Sequence, residues 1–241
     1  MFASTIASSR LVRRAAVIVA LAAFPPVLAP VARALPAQAP AVVSGNCVTI
    51  ASPKPTLNFT YRYSDTSGSS DYTNRWDQFT PSGSRLVTTR TGANAGQSTF
   101  VSKHQVVDDV FVLEASTASG TDATGVFTNS MTYTPGAIGD PAYKACEGRT
   151  WTIMAVNAAI KSAQGSFSTR TDPGVMTIIK IHESITVPAG TFDTVHYVKT
   201  MNSGRGQVVD EFWKSIEHGV TVKRNSRQPG SVAVEVLTAI K

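Results

Sequence analysis

Two histidines, His182 and His196, come closest in this chain to a spacing that holds a metal ion. They flank a Pro-Ala-Gly turn that predicts a hairpin, and pairing of Val187 with Thr191 across it would set the two imidazoles opposite each other. Opposed strand residues have Cβ atoms about 4.5 to 5.5 Å apart, within reach of one ion. A zinc site needs three or four protein ligands, however, and alternation directs Glu183 to the other face. We therefore predict exposed histidines, with no bound metal and no cofactor.

Two carboxylates in the same hairpin, Glu183 and Asp193, come closest to an acid and base pair. The register above places them diagonally on the apolar face. A buried carboxylate needs a partner, and Lys199 on that face is predicted to supply one as a salt bridge. The sequence contains no Gly-x-Ser-x-Gly elbow, phosphate-binding glycine loop, His-Glu-x-x-His motif or Cys-x-x-Cys pair. We therefore predict no catalytic residues and a protein that is not an enzyme.

Alternation with a period of two dominates the chain and predicts that β-strands position these residues. From Leu57 to Tyr63, apolar side chains fall on one face and polar ones on the other, which is typical of a half-buried antiparallel strand. No long helical stripe occurs after the first 34 residues, so we predict an all-β domain with few or no helices. A sandwich, a barrel and a strongly curved sheet all agree with this pattern. The other predicted strands are 72–79, 85–91, 98–106, 110–116, 126–132, 149–156, 175–187, 191–201, 207–213, 220–224 and 232–240.

The first 34 residues have the pattern of a secretory signal peptide. Arginines precede an apolar run from Ala15 to Leu28, and the small-residue motif Ala32-Arg33-Ala34 follows it. The run is short for a membrane span of about 20 residues, so we expect cleavage after Ala34. Residues 1–34 are then a cleaved signal, 35–46 a flexible Pro/Ala-rich lead-in and 47–241 a single all-β domain. The predicted location is periplasmic or secreted, with no membrane span after cleavage.

Most of the net positive charge of the chain lies in the predicted signal, residues 1–34. Of 22 Lys and Arg residues, four lie before residue 35, which leaves 18 against 16 Asp and Glu. The mature protein therefore lacks the clustered excess of positive charge that binding to nucleic acid by charge requires. We predict no nucleic-acid partner.

The two cysteines, Cys47 and Cys146, are predicted to form a disulfide. An exported protein reaches a compartment in which thiols oxidise, and the chain contains no third cysteine to compete. The bridge would close a loop of about 100 residues and stabilise the fold by up to about 4.7 kcal/mol in the chain-entropy description.

The C-terminal third contains Val-Pro-Ala-Gly-Thr-Phe-Asp-Thr at 187–194, the segment Glu211 to Trp213, and the strand Gly219 to Arg224. In these features it resembles uncharacterised bacterial envelope proteins, including the TapB-like proteins. The resemblance implies a single antiparallel sheet, strongly curved or partly closed into a half-barrel or barrel-like shape. This shape is loosely similar to that of LolA-like carriers of lipids or lipoproteins. The resemblance implies no functional residues.

Two functional classes follow from these features. The first is a non-enzymatic binding or carrier module, in which some strand aromatics line an apolar pocket for a lipid or similar small molecule. The second is an envelope protein that docks or helps to assemble another protein through an exposed strand edge. A hydrolase ranks third, because catalytic triads are recognised by geometry rather than by sequence. The ligand-binding residues are not identified by the sequence, and the aromatics concerned are Tyr61, Tyr63, Trp76, Trp151, Phe212 and Trp213.

Overall fold

The computed structural model describes residues 46–91, 96–122, 125–163, 165–203 and 206–241. Within these ranges the protein is all-β and contains no helix, as predicted, and hence no helix that could cross a membrane. The predicted signal, residues 1–34, and all of the lead-in except Asn46 lie outside the described residues. The strands are β1 Cys47–Thr49, β2 Asn58–Asp65, β3 Gly68–Thr80, β4 Gly83–Arg90, β5 Gly96–Val107, β6 Val110–Asp122, β7 Gly125–Pro141, β8 Lys144–Cys146, β9 Thr150–Ile153, β10 Asn157–Ser162, β11 Gly165–Arg170, β12 Gly174–Val187, β13 Gly190–Ser203, β14 Gly206–Ser215, β15 Thr221–Gln228 and β16 Ser231–Ile240.

One antiparallel sheet contains 14 of these strands, in the order β11, β10, β7, β6, β5, β4, β3, β2, β16, β15, β14, β13, β12, β9. The prediction of a single antiparallel sheet is confirmed. The sheet is not closed or strongly curled, so the expected half-barrel or barrel-like shape is not formed. A barrel needs a continuous ladder. Here β9 and β11 are the terminal strands and do not pair with each other. Residues 154–156, which follow β9, and 171–173, which follow β11, are not in strand conformation.

Tight turns set the register, and the hairpin between β12 and β13 is one residue tighter than the sequence suggested. Val187 pairs with Gly190 instead of Thr191, so the loop contains only Pro188 and Ala189. Gly190 has a φ of +136°, which side chains other than glycine rarely adopt. This shift of one residue changes every cross-strand partner in the hairpin.

A bulge in β12 further changes which residues the two histidines meet. The pairing register between β12 and β13 shifts on both sides of Lys180, and His182 has a φ of 54°. Lys180, rather than His182, pairs with His196. The predicted direct opposition of His182 and His196 is therefore wrong, because neither the tighter turn nor the bulge was included in the expected register.

Two clusters of buried hydrophobic residues form the core. Both draw on strands that are distant in the chain, so the alternating faces predicted from the sequence are buried against one another. The first contains Ile50, Val110, Ala145, Trp151, Ile153, Met176, Ile178, Ile181, Val195 and Tyr197. The second contains Phe59, Tyr61, Trp76, Leu86, Val187, Trp213, Val220, Val222 and Leu237.

The two cysteines belong to a separate ladder of two strands beside the first cluster. Cys47 in β1 pairs with Cys146 in β8, and their sulfur atoms lie 2.07 Å apart, at the distance of the predicted disulfide. Ala145 in β8 and Ile50, which follows β1, are buried in the first cluster. The disulfide therefore anchors the start of the described domain to its core.

Short connections and side chains link the two ends of the large sheet. Residues 154–156 lead from β9 at one end directly to β10, the strand next to the other end. Trp151 in β9 donates its Nε1–H to the carbonyl oxygen of Asp108, 3.0 Å away. Arg149, just before β9, pairs with the carboxylates of Asp108 and Asp109 beside β6. Strand β9, at one end of the sheet, thus contacts the turn between β5 and β6 through side chains.

Candidate functional site

One face of the sheet can be followed from strand to strand, because paired residues share a face. Met131 in β7 pairs with Ser116 in β6 and with Ile160 in β10. Ile160 pairs in turn with Phe167 in β11, and Ser116 pairs with Ser102 in β5. These five side chains share one face across five neighbouring strands and reach the terminal strand β11.

Apolar side chains on this face are incompletely covered in β7, β10 and β11. Met131 and Ile160 are half-buried, and Phe167 exposes 54% of its surface. Phe127 and Tyr133 lie on the same face of β7 and are also half-buried. We call Phe127, Met131, Tyr133, Ile160 and Phe167 the apolar row.

The opposite face of these strands is exposed and, apart from Val126 in β7, carries mainly small or polar side chains. Thr132, Ala159 and Ser168 pair across β7, β10 and β11, and all three are exposed. Lys161 and Ser166 form the neighbouring pair, and both are exposed as well. This part of the sheet is therefore amphipathic, with larger apolar side chains on one face and mainly hydroxyl and ammonium groups on the other.

The face that carries the apolar row continues to the other end of the sheet. There it bears charged residues that are buried instead of exposed. Arg224 in β15 donates from Nη2 to Oδ1 of Asp210 at 3.1 Å. The continuation runs through the paired or alternating residues Phe100, Leu86, Trp76, Tyr72, Tyr61, Leu237, Glu235, Arg224, Phe212 and Tyr197.

Glu235 illustrates how burial perturbs the charges on this face. Burial raises the pKa of the Glu235 carboxyl, and this outweighs the hydrogen bond from Tyr72 and the charge of Arg224, which both lower it. Burial also raises the pKa of the Tyr72 hydroxyl, and the charge of Glu235 raises it further. The Tyr72 hydroxyl therefore keeps its proton and donates a hydrogen bond to the Glu235 carboxyl group.

Three further charged residues form what we call the lysine–aspartate cluster, Asp140, Lys199 and Lys214. Lys199 Nζ donates to Oδ1 of Asp140 at 2.9 Å, and Lys214 Nζ donates to the carbonyl oxygen of Pro141 at 2.7 Å. The side chains of Asp140 and Lys214 are almost completely buried. Because Asp140 lies in β7 while the lysines lie in β13 and β14, the cluster connects strands from the two ends of the sheet.

Burial and mutual charge set the ionisation of this cluster. Burial lowers the pKa of Lys214 to about 8, with the charge of Lys199 acting in the same direction and that of Asp140 opposing it. Burial alone would raise the pKa of the Asp140 carboxyl, but the ammonium groups of Lys199 and Lys214 lower it, and it lies well below its usual range. Asp140 is therefore ionised at neutral pH, and its charge stabilises the buried ammonium group of Lys214.

Each of the two predicted histidines has a carboxylate partner of its own. His182 Nδ1 lies 2.8 Å from Oδ2 of Asp193, and His196 Nδ1 lies 3.0 Å from Oε2 of Glu183. The His196 ring also stacks on Trp213, with the ring centroids 4.4 Å apart. His182 is exposed as predicted, whereas His196 is partly buried. Among the described residues, no group of three or more His, Cys, Asp or Glu side chains is placed to hold a metal.

The predicted salt bridge between Lys199 and the hairpin carboxylates is wrong. Lys199 pairs with Asp140 in β7, which lies far away in the sequence, whereas Glu183 and Asp193 pair with histidines. The expected partners were derived from the hairpin register alone. That register gives no information on β7, whose Asp140 side chain contacts Lys199 of β13.

The apolar row was not predicted from the sequence, although alternation in part of β7 indicated some of its residues. Residues 126–132 alternate as a strand should, and Phe127 and Met131 fall on one face of it. The aromatics singled out instead lie mostly in the core, since Tyr61, Trp76, Trp151 and Trp213 are all buried. Alternation therefore identifies apolar positions, but the degree to which a face is covered depends on its distant neighbours.

No protein family, curated protein or solved structure matches this chain.

Proposed function

We propose that this protein acts outside the cytoplasm, in a periplasm or after secretion, as a non-enzymatic module that binds the hydrocarbon chain of a lipid-like ligand. The single observation that carries the proposal is the apolar row, a set of partly uncovered apolar side chains on one face of β7, β10 and β11. Monomeric proteins usually expose contiguous apolar patches only where something binds.

The shape of the apolar row favours an elongated ligand. Met131, Ile160 and Phe167 lie on three successive strands. Strands are spaced about 4.8 Å apart, so this line is about 10 Å long. Along β7, Tyr133 lies next to Met131 on the same face, and Phe127 lies beyond Asn129. A linear hydrocarbon chain fits such a line better than a compact ring system does.

The energetics of burial agree with such a ligand. Each Å² of apolar surface removed from water contributes about 25 cal/mol, so burial of about 300 Å² would contribute about 7.5 kcal/mol before the cost of association. The disulfide pair Cys47 and Cys146 supports an oxidising compartment, where a free lipid would need a protein carrier.

The test is direct binding of the fluorescent fatty acid cis-parinaric acid to the purified protein. We expect saturable binding, and we expect Met131→Glu to raise the Kd by about ten-fold or more, because it places a charge in the centre of the apolar row. Thr132→Glu is the matched control, since it adds the same charge one residue further along β7, on the exposed face.

Solvent extraction of protein purified from its own host provides a second measurement. We expect mass spectrometry of the extract to show lipids that are absent from extracts of the Met131→Glu variant. Absence of any co-purified lipid, together with equal cis-parinaric acid affinities for the Met131→Glu and Thr132→Glu variants, would exclude the proposed function.

A further inference from the structure

The terminal strand β11 has the features of an uncapped sheet edge. All six of its residues, Gly165–Arg170, are exposed, and within the described residues only β10 pairs with it. Natural edge strands are usually protected from further pairing by being very short, by proline, by charged side chains, by bulges or by a covering segment. The segment from Gly165 to Arg170 contains no proline, carries one charge, at Arg170, and pairs with β10 without register shifts.

The register identifies which backbone groups of β11 point away from β10. Ser162 and Gly165 flank a two-residue loop and form its closing pair, in which the two residues exchange both backbone hydrogen bonds. Pairs alternate along an antiparallel ladder between those that exchange hydrogen bonds and those that do not. The amide and carbonyl groups of Ser166, Ser168 and Arg170 therefore point outward from the sheet, where an added strand would bond them.

Two cations lie on the same face at opposite ends of this edge. Lys161 in β10 pairs with Ser166, and Arg170 lies four residues further along β11. Four residues along a strand span about 13 Å. Neither β10 nor β11 contains an acidic residue, and both Lys161 and Arg170 are exposed. An added strand would thus meet positive charge at two positions four residues apart.

Phe167 supplies the third element of recognition. Its side chain lies on the face opposite to that of Lys161 and Arg170, between them along the strand, and exposes 54% of its surface. A partner strand would therefore present acidic residues to one face and apolar residues to the other.

We propose that the outer edge of β11 binds an extended segment of another protein with the pattern acidic, apolar, any, apolar, acidic. The spacing of four between the acidic residues matches that of Lys161 and Arg170, and the apolar residues between them cover Phe167. The pattern is the same in both chain directions, so it suits parallel and antiparallel addition alike. Main-chain hydrogen bonds provide affinity in this mode, and the side chains provide specificity.

A second copy of this chain fits the same edge poorly. Antiparallel pairing of two β11 strands about Ser168 would set Arg170 of one copy opposite Ser166 of the other, beside its Lys161. Like charges so placed across a ladder are destabilising. Charge therefore favours an acidic partner over self-association.

The test uses the full protein and the fluorescently labelled peptide Ser-Glu-Val-Ser-Val-Glu-Ser, with binding measured by fluorescence anisotropy. We expect the same peptide with lysine in place of glutamate to bind about ten-fold more weakly. The double variant Lys161→Glu and Arg170→Glu should reverse this preference. Lys54→Glu together with Lys144→Glu is the control, because it changes the net charge equally at exposed lysines away from β11.

A second variant tests the backbone. Ser168→Pro removes an outward amide, and proline is tolerated at an edge where the N–H faces solvent. We expect loss of peptide binding with cis-parinaric acid binding retained, which separates this proposal from the apolar-ligand function. Peptide affinities that are unchanged by both Ser168→Pro and the charge reversal would overturn the proposal. A dimer of the full chain that Ser168→Pro dissociates would also overturn it, since a second copy would then occupy the edge.

Discussion

The two ends of the large sheet use one continuous face in opposite ways. At the end formed by β13 to β16, the face holds charged groups that are buried and paired, such as Arg224 with Asp210. At the end formed by β7, β10 and β11, it holds apolar groups that are partly exposed, such as Ile160 and Phe167. The alternation of each strand is the same at both ends, so the difference arises from what covers the face.

This contrast distinguishes a structural region from a region available for binding. Buried ion pairs are sensitive to the loss of one partner, because the remaining charge is left without compensation. A partly exposed apolar side chain contributes little to folding but retains hydrocarbon surface for a ligand. Substitutions at the two ends should therefore separate stability from binding.

Removal of the central carboxylate should have the largest effect. Asp140→Ala leaves Lys199 and Lys214 without their shared counter-charge in the interior, and we expect a loss of about 3 to 5 kcal/mol in the free energy of unfolding. Urea titration followed by circular dichroism measures this free energy of unfolding. Lys161→Ala, at the exposed end, should change the value by less than about 0.5 kcal/mol. A cost below about 1 kcal/mol for Asp140→Ala would show that the cluster does not stabilise the fold.

Loss of the disulfide should have the next largest effect and should act mainly at the buried end. Replacing both Cys47 and Cys146 with serine removes a bridge that typically contributes about 2 to 4 kcal/mol. Hydrogen exchange should accelerate in β12, which packs beside β8, more than in β10. Equal acceleration in β10 and β12 would contradict a tether confined to one end of the sheet.

Local features of the fold could be predicted from the sequence. Alternation indicated an all-β domain in a single antiparallel sheet, and the export pattern indicated a bond between Cys47 and Cys146. These inferences need only side-chain period and compartment chemistry. The hairpin register was not predicted correctly. The loop between Val187 and Gly190 is one residue shorter than its turn motif suggested, and β12 contains a bulge near His182.

The candidate site could not be predicted because it depends on contacts between distant strands. Nothing near Asp140 in the sequence indicates Lys199 as its partner, and alternation alone does not show that Phe167 is exposed while Phe59 is completely buried. The chain order of the strands also differs from their order in the sheet, which places β9 and β10 near opposite ends. Long-range pairing of this kind leaves no local pattern.

The ionisation of Lys214 should make stability depend on pH in the alkaline range. Its pKa is about 8 in the folded protein, below the ordinary value of 10.5, so above pH 8 the unfolded chain binds more protons at this residue than the folded one. The contribution of Lys214 to stability therefore rises with pH between about 8 and 10.5, by about 1 kcal/mol from pH 8 to pH 9.

The comparison with Lys214→Met isolates this term. The difference in unfolding free energy between the protein and the variant should grow in favour of the protein as pH rises from 8 to 9. Measurements below pH 10 avoid the buried tyrosines, whose pKa values are raised by burial. A difference that stays constant over this range would place the folded pKa of Lys214 near its ordinary value.

Two phenylalanines on the same face provide the most discriminating pair of substitutions, because only the effect of Phe167→Ala on stability should be small. Phe59→Ala removes a completely buried ring from the second core cluster and should cost about 3 to 5 kcal/mol. Phe167→Ala should change stability by less than about 0.5 kcal/mol, because its ring is more than half exposed. It should nevertheless weaken binding of cis-parinaric acid, since it removes the outer end of the apolar row. If Phe167→Ala instead destabilised the fold without altering fatty-acid binding, this end of the sheet would be structural like the other, and the contrast between the two ends would not hold.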